Sequence, residues 1–206
     1  MSEDGQSQGD YWDSVTAYRP PADRIATAAS WRTPELDLHG CYLREIPAQV
    51  WSMTHLTELH LYLNQLTSLP EALGDLTELT WLGVADNELG TLPDSIGRLT
   101  RLTRLDGQDN RLTALPDSIG NLSDLATIYL HRNQLTEVPG SLARLSMLTT
   151  LFLSDNHIRE LPAWLATMPS LTSLQVTGNP LTHVSPQLTE RFGIRARSIR
   201  GVQDES

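Results

Sequence analysis

A chain that can be laid over itself at a fixed step has little freedom in what it folds into, and this one repeats every 23 residues. The stretch Leu56–Glu78, LTELHLYLNQLTSLPEALGDLTE, recurs in register and without gaps from Thr33 to the region of Leu188. Units start at Thr33, Leu56, Leu79, Leu102, Leu125, Leu148 and Leu171, and their ninth residues are Cys41, Asn64, Asn87, Asn110, Asn133, Asn156 and Asn179. Within the second unit Leu59 and Leu61 alternate with Glu58, His60 and Tyr62, the pattern of a short strand with one face inward and one outward. The ninth residue then turns the chain beneath the strand, where an Asn amide can satisfy backbone groups that the bend leaves unpaired. The second half of each unit, as in Leu89, Leu92, Pro93, Ile96 and Leu99, spaces its apolar residues by three or four around a proline. That spacing predicts a helical or 3₁₀ turn on the opposite side. No unit of this size buries its apolar edge alone, so the core must lie between stacked neighbours and the ends must be capped.

The pattern L-x-x-L-x-L-x-x-N/C-x-L at this period is the signature of leucine-rich repeats. Residues such as Leu92, Pro93, Ile96 and Leu99 closely resemble the 23-residue L-P-x-x-[IL]-x-x-L class found in Ras-suppressor-like, Scribble-like and Roco proteins and in many bacterial proteins. The resemblance implies an α/β solenoid of seven repeats, with a curved parallel sheet on the concave face and helical or 3₁₀ turns on the convex face. It also implies a role in protein recognition, with no activity of its own.

The expected layout is a flexible tail over residues 1–19, a capping helix over 20–32, repeats over 33–188 and a C-terminal cap and tail over 189–206. In the capping helix, Ile25, Ala28, Ala29 and Trp31 fall on spacings compatible with one buried face. Tyr11, Trp12 and Tyr18 stand upstream, either as packing for that cap or as an aromatic segment for a partner. At the far end Phe192, Ile194, Ile199 and Val202 offer apolar closure, while Arg191, Arg195, Arg197 and Arg200 make a basic, solvated tail. Gly107 takes a sixth position where the other units carry Leu or Val, which calls for local repacking or else marks a bend or small pocket.

Composition narrows the function. A net charge of −10 disfavours nucleic acid and anionic membrane as partners. The polar, acidic start MSEDGQSQGD is unlike a secretory signal, no apolar run approaches transmembrane length, and the chain has a single cysteine. These features lead to the expectation of a cytoplasmic, monomeric protein. All 15 basic residues are Arg and none is Lys, which fits a GC-rich bacterial genome and also fits selection against lysine-directed modification in a protein delivered into a eukaryotic host.

No phosphate-cradling glycine loop, nucleophile elbow or paired-cysteine motif occurs, so the reading is a non-enzyme without cofactor or metal. Cys41 stands at the turn position held elsewhere by Asn and reads as structural. Asp37, His39 and His60 lie close enough across the first two strands to suggest metal binding, and a small metal-dependent enzyme is the alternative they offer, but they lack the fixed spacing of a zinc site. The outward face is the informative surface. It carries Tyr62, Trp81, Tyr129 and Phe152 together with Arg104, and Trp, Tyr and Arg dominate binding hot spots. Aromatics on a sheet also stabilise it by stacking on their neighbours. His60, Tyr62, Trp81, Arg104, Asp106, Tyr129, His131, Arg132 and Phe152 are therefore the candidate contact set for a partner protein with a basic or mixed-charge patch. The eighth positions Asp86, Asp109, Arg132 and Asp155 read as a charge ladder in which Arg132 sits between two carboxylates.

Overall fold

The computed structural model describes residues 19–195. Seven three-residue strands run in parallel in a single sheet whose spatial order is the sequence order. They are β1 (Glu35–Asp37), β2 (Glu58–His60), β3 (Trp81–Gly83), β4 (Arg104–Asp106), β5 (Thr127–Tyr129), β6 (Thr150–Phe152) and β7 (Ser173–Gln175). Each residue pairs with the one 23 positions on, as in Leu36↔Leu59 and Leu59↔Leu82, so the register of the sheet is the period of the sequence. Opposite the strands lie five-residue 3₁₀ turns, from Ala48–Ser52 to Ala163–Thr167, each preceded by a proline in extended conformation or close to it. The result is a leucine-rich-repeat solenoid.

The inward positions fill one continuous core that runs the length of the array, and most of its Leu and Ile side chains are fully buried. On the convex side the 3₁₀ turns approach closely where glycine faces serine of the next unit. A Cβ on Gly74 would lie 2.6 Å from the Ser95 Cβ, and one on Gly97 would lie 2.7 Å from the Ser118 Cβ. The missing side chain at Gly107 leaves neither gap nor bend. Leu130 Cδ2 stands 3.2 Å from where a Cβ would be, with Val84 and Leu112 behind it, and the register through β4 and β5 is unbroken.

The asparagines bind one unit to the next. Asn64 Nδ2 donates to Leu38 O of the preceding unit at 2.9 Å and to Leu61 O of its own at 3.0 Å, while its Oδ1 accepts the Leu43 N–H at 2.9 Å. The same three links recur at Asn87, Asn110, Asn133, Asn156 and Asn179. Cys41 takes the ninth position of the first unit, where no earlier repeat exists to be joined, and its buried thiol makes one hydrogen bond, to His39 O at 3.6 Å. An amide there would have lacked the inter-repeat half of its partners.

Both ends are closed by helices that use arginine. Helix α1 (Pro21–Trp31) has Pro at its start and buries Ile25 and Ala28. The expectation that Ala29 and Trp31 share this face is not met, since Ala29 is exposed and Trp31 is 80% exposed. The covered face is centred on Ile25 and Ala28, with Ala29 on its flank and Trp31 about 240° around the helix from Ile25. Arg24 of this helix donates to the free carbonyls of Asp37 at 3.2 Å and His39 at 3.5 Å on the open side of the first repeat. At the far end α2 (Pro186–Phe192) begins at an N-cap Ser185 and buries Leu188, with Ile194 buried just beyond it. Its start at Pro186 lies inside the span expected to be repeat. Arg191 and Arg195 are exposed as expected, and Arg191 also reaches back to Ala166 O at 2.7 Å and Leu171 O at 2.6 Å. Tyr11, Trp12, Tyr18, Arg197, Ile199, Arg200 and Val202 lie outside the described residues.

Removing one internal amide strands carbonyls and an N–H from two units, whereas the thiol has no such partners. Asn110→Ala is expected to lower unfolding free energy by about 3 kcal/mol, and Cys41→Ala by under about 1 kcal/mol. Urea denaturation of the two variants checks the contrast, and equal losses would contradict it.

Candidate protein-binding face

The third, fifth and seventh positions of the units project from the concave face, and strand pairing fixes which of them are neighbours. Trp81 stands beside Arg104, His60 beside Gly83, Gly83 beside Asp106, and Tyr129 beside Phe152. From that register grows one connected band. The Tyr62 and His60 rings stack at 5.8 Å, and His60 meets Trp81 edge-on at 4.5 Å. The Arg104 guanidinium lies 4.4 Å from the Trp81 ring and 5.2 Å from the Tyr129 ring, and Tyr129 contacts Phe152 at 5.2 Å. Rings and guanidinium therefore fix one another in place, with cation–π attraction adding to dispersion.

Facing outward does not make every member exposed. His60 is 8% and Asp106 7% exposed, whereas Tyr62, Trp81, Arg104, Tyr129 and Phe152 are half-buried. The expectation that His60 lies exposed on the face is corrected accordingly. It is enclosed by Trp81 and Tyr62, and its Nε2 faces Glu58 Oε2 at 3.2 Å and Glu35 Oε1 at 3.6 Å. The Asp37 carboxylate accepts the His39 backbone N–H at 2.8 Å. Among the described residues no group of three or more His, Cys, Asp or Glu side chains is placed to hold a metal ion.

Between His60 and Asp106 the ladder has a gap at Gly83. The tip of the Tyr62 ring occupies it, seated where a Cβ on Gly83 would be. Four buried side-chain atoms on these strands have no hydrogen-bond partner, namely His60 Nδ1, Trp81 Nε1, Arg104 Nε and Asp106 Oδ1. The other such atoms among the described residues belong to His55 and to Ser95, Ser118 and Ser141, the three serines lying in the 3₁₀ turns. No residue-by-residue reading of sequence reveals this cluster, because it depends on side chains 23 residues apart.

The eighth position also differs from its reading as a charge ladder. Gly40, Leu63, Asp86, Asp109, Arg132, Asp155 and Gly178 all have positive φ, so the backbone is left-handed there in every unit. Asp and Gly tolerate that region better than most residues, which accounts for their recurrence. Arg132 is not held between two carboxylates. It pairs with Asp109 at 3.4 Å, while the Asp155 carboxylate lies over Gly178. His131 is partly covered.

Burial pushes the Asp106 carboxyl above its ordinary range, and the Gln108 backbone N–H and the Arg104 charge, 3.8 Å away, act in the opposite direction without cancelling it. Asp86 is raised by burial and then by Asp109, and the Tyr62 phenol by burial and then by Asp106. For Asp106 the unfolded chain ionises first as pH rises, so ionisation costs stability from the ordinary carboxylate range up through the raised value. Asp106→Asn is therefore expected to be more stable than wild type at pH 7 by on the order of 1 kcal/mol, with the difference vanishing near ~pH 3. Urea midpoints measured across that range check it, and a variant less stable than wild type at pH 7 would refute it.

Residues 14–127 match the family described as leucine-rich repeat region, and residues 100–158 and 139–181 match that described as leucine rich repeat. Among curated proteins none matches. Among solved structures the chain is similar to the leucine-rich-repeat ectodomain of the plant membrane receptor kinase GASSHO1/SCHENGEN3 from Arabidopsis thaliana, in complex with Casparian strip integrity factor 2. The identity is 33% and the TM-score 0.65, over 71% of this chain and 18% of that one. It is also similar to PEPR1 in PEPR1–AtPEP1, at 28% identity and TM-score 0.66 over 72% and 22% of the two chains. A TDR receptor matches at 34% identity and TM-score 0.69 over 76% and 28%. The chain thus spans between 18% and 28% of the length of these structures. With more than half of its residues matched by one family, and the sheet, turns and asparagine ladder in place, the chain belongs to the leucine-rich-repeat proteins.

Proposed function

We propose that the chain is a non-enzymatic module that binds a partner protein through its concave face. The observation that carries this reading is the band Trp81–Arg104–Tyr129–Phe152, large and half-exposed and already locked by mutual contact. Such side chains lose little freedom on binding, which is how a few residues come to dominate an interface. The two solved complexes among the similar structures support a protein partner by analogy of fold.

The charge of the face gives the partner a polarity. Glu35, Asp37, Glu58, Asp86, Asp106 and Asp109 crowd the first four units around Arg104, whereas Thr127, Thr150, Ser154, Ser173, Gln175 and Thr177 line the rest, where Arg132 and Asp155 offset each other. A partner with a basic or mixed patch over the first half and a neutral surface over the second fits this division. The 23-residue register supports placing the repeats in the L-P-x-x-[IL]-x-x-L class, with a bacterial source, a monomeric state and a cytoplasmic location as parts of the same proposal. Among the described residues no helix is long and apolar enough to cross a membrane. A second reading, an injected effector that grips a host protein, is favoured by one observation, the complete absence of Lys beside 15 Arg.

Affinity capture from source-cell lysate, comparing wild type with a folded Trp81→Ala, Tyr129→Ala, Phe152→Ala triple variant, tests the concave assignment. The expected result is a protein retained by wild type and lost by the variant, each truncated anchor costing about 2 kcal/mol or more. Retention of the same proteins by both would remove the concave face from consideration.

A further inference from the structure

Gly83 lies on β3 between His60 of β2 and Asp106 of β4, on the strands that carry the buried atoms without good hydrogen bonds, and the ring over it reaches Trp81 alone among them. Tyr62 lies over Gly83 with its hydroxyl beside the Trp81 indole N–H, while His60 Nδ1, Arg104 Nε and Asp106 Oδ1 remain unpaired. Buried polar groups are nearly always satisfied, and each one left alone costs about 1–3 kcal/mol. Two of these side chains, His60 and Asp106, are nine-tenths buried. Tyr62 is half-buried, with one side open to solvent into which the ring could swing. Its departure would open a space one side chain wide in the middle of the face.

The chemistry of the border selects what enters. Trp81 Nε1 and Arg104 Nε are donors, and both are held in place by the contact between the Trp81 ring and the guanidinium at 4.4 Å. Asp106 Oδ1 is an acceptor. His60 Nδ1 accepts or donates according to the tautomer of the ring, whose Nε2 is turned toward Glu58 and Glu35. An anion would meet the two donors but would stand beside Asp106, with Asp86 past the end of β3 and Glu58 on β2 close by. A cation would meet the acceptors and leave the Trp81 and Arg104 N–H groups facing it. A neutral group that carries a carbonyl oxygen and an N–H side by side meets both halves.

We infer that the gap over Gly83 is a socket, closed by Tyr62, for an amide group of the bound partner, with Trp81 and Arg104 donating to its carbonyl and Asp106 accepting its N–H. The inference rests on the concave face being the binding face. The amide belongs either to the main chain of an extended segment or to an Asn or Gln side chain, and small probes separate the two.

The test follows the Trp81 indole N–H resonance, assigned through Trp81→Phe, in wild type, Tyr62→Ala and Tyr62→Ala/Asp106→Ala. The probes are N-methylacetamide for the main chain, propionamide for the carboxamide, and sodium acetate and methylammonium chloride at matched ionic strength. The expected result is a saturable shift with an amide, stronger in Tyr62→Ala than in wild type and about tenfold weaker once Asp106 is removed. Whichever amide binds more tightly identifies the source. A response to acetate or methylammonium equal to that of the amides overturns the inference, as does the lack of any saturable shift in Tyr62→Ala. Should the double variant not fold, the selectivity among the four probes in Tyr62→Ala still decides. A partner lost by the triple variant, together with an indole resonance indifferent to amides, would keep the concave face and discard the socket.

Discussion

The link between Asn and the preceding repeat is the constraint on which the rest of the structure depends. Each internal amide spends donors on a carbonyl of its own unit and on one of the unit before, and its oxygen takes the N–H of the residue that begins the return path there. A buried turn would otherwise leave these groups bare, so the ladder is what permits a bend beneath every strand. It also fixes the step, because an inserted residue would move both halves of the joint out of reach. The leucines supply most of the free energy of burial, but they tolerate exchange among similar shapes, whereas the amide geometry does not.

A consequence of so rigid a frame is that outward positions vary freely in chemistry and are placed with the accuracy of the frame. Trp81 and Arg104 lie side by side because their strands are in register, not because either selects the other. Where the frame runs out, at the two ends, the missing neighbour is replaced by a helix and by an arginine that reaches open carbonyls, Arg24 at the first repeat and Arg191 at the last. The two caps have different sequences and solve one problem, the unpaired backbone at an open edge.

Periodicity made the frame legible. The inward leucines, the ninth-position amides, the convex turns and the capping helix at Pro21–Trp31 all follow from spacing within one unit. What spacing does not convey is the state of a side chain set by its neighbours in the next unit. His60 and Asp106 look exposed in a strand read alone and are buried once Trp81, Tyr62 and Arg104 close around them. The eighth position carried a signal that charge obscured. Asp and Gly recur there because the backbone is left-handed, and Leu63 and Arg132 show the conformation persisting where the residue does not favour it. Trp31 illustrates the opposite error, a large apolar residue assigned to a core that its helical phase does not reach.

Aromatic side chains on a sheet have two uses, and the concave band displays features of both. The tilted contact of Tyr129 with Phe152 and the edge-on contact of His60 with Trp81 stabilise the sheet whether or not anything binds, so contact among the rings does not distinguish a structural ladder from a binding surface. The polar atoms do distinguish them. A face selected only for stability would pair its indole, guanidinium and carboxyl groups or replace them with apolar ones, since a buried pair of matched shape without polar atoms costs less than an unsatisfied one. Instead the donors and the acceptors are buried together around a glycine, and Asp106 retains its carboxyl although burial opposes its charge. Groups kept at a cost in the free protein make sense if the cost is recovered in a complex, and their gathering on three adjacent strands is the reason for proposing the centre of recognition at Gly83.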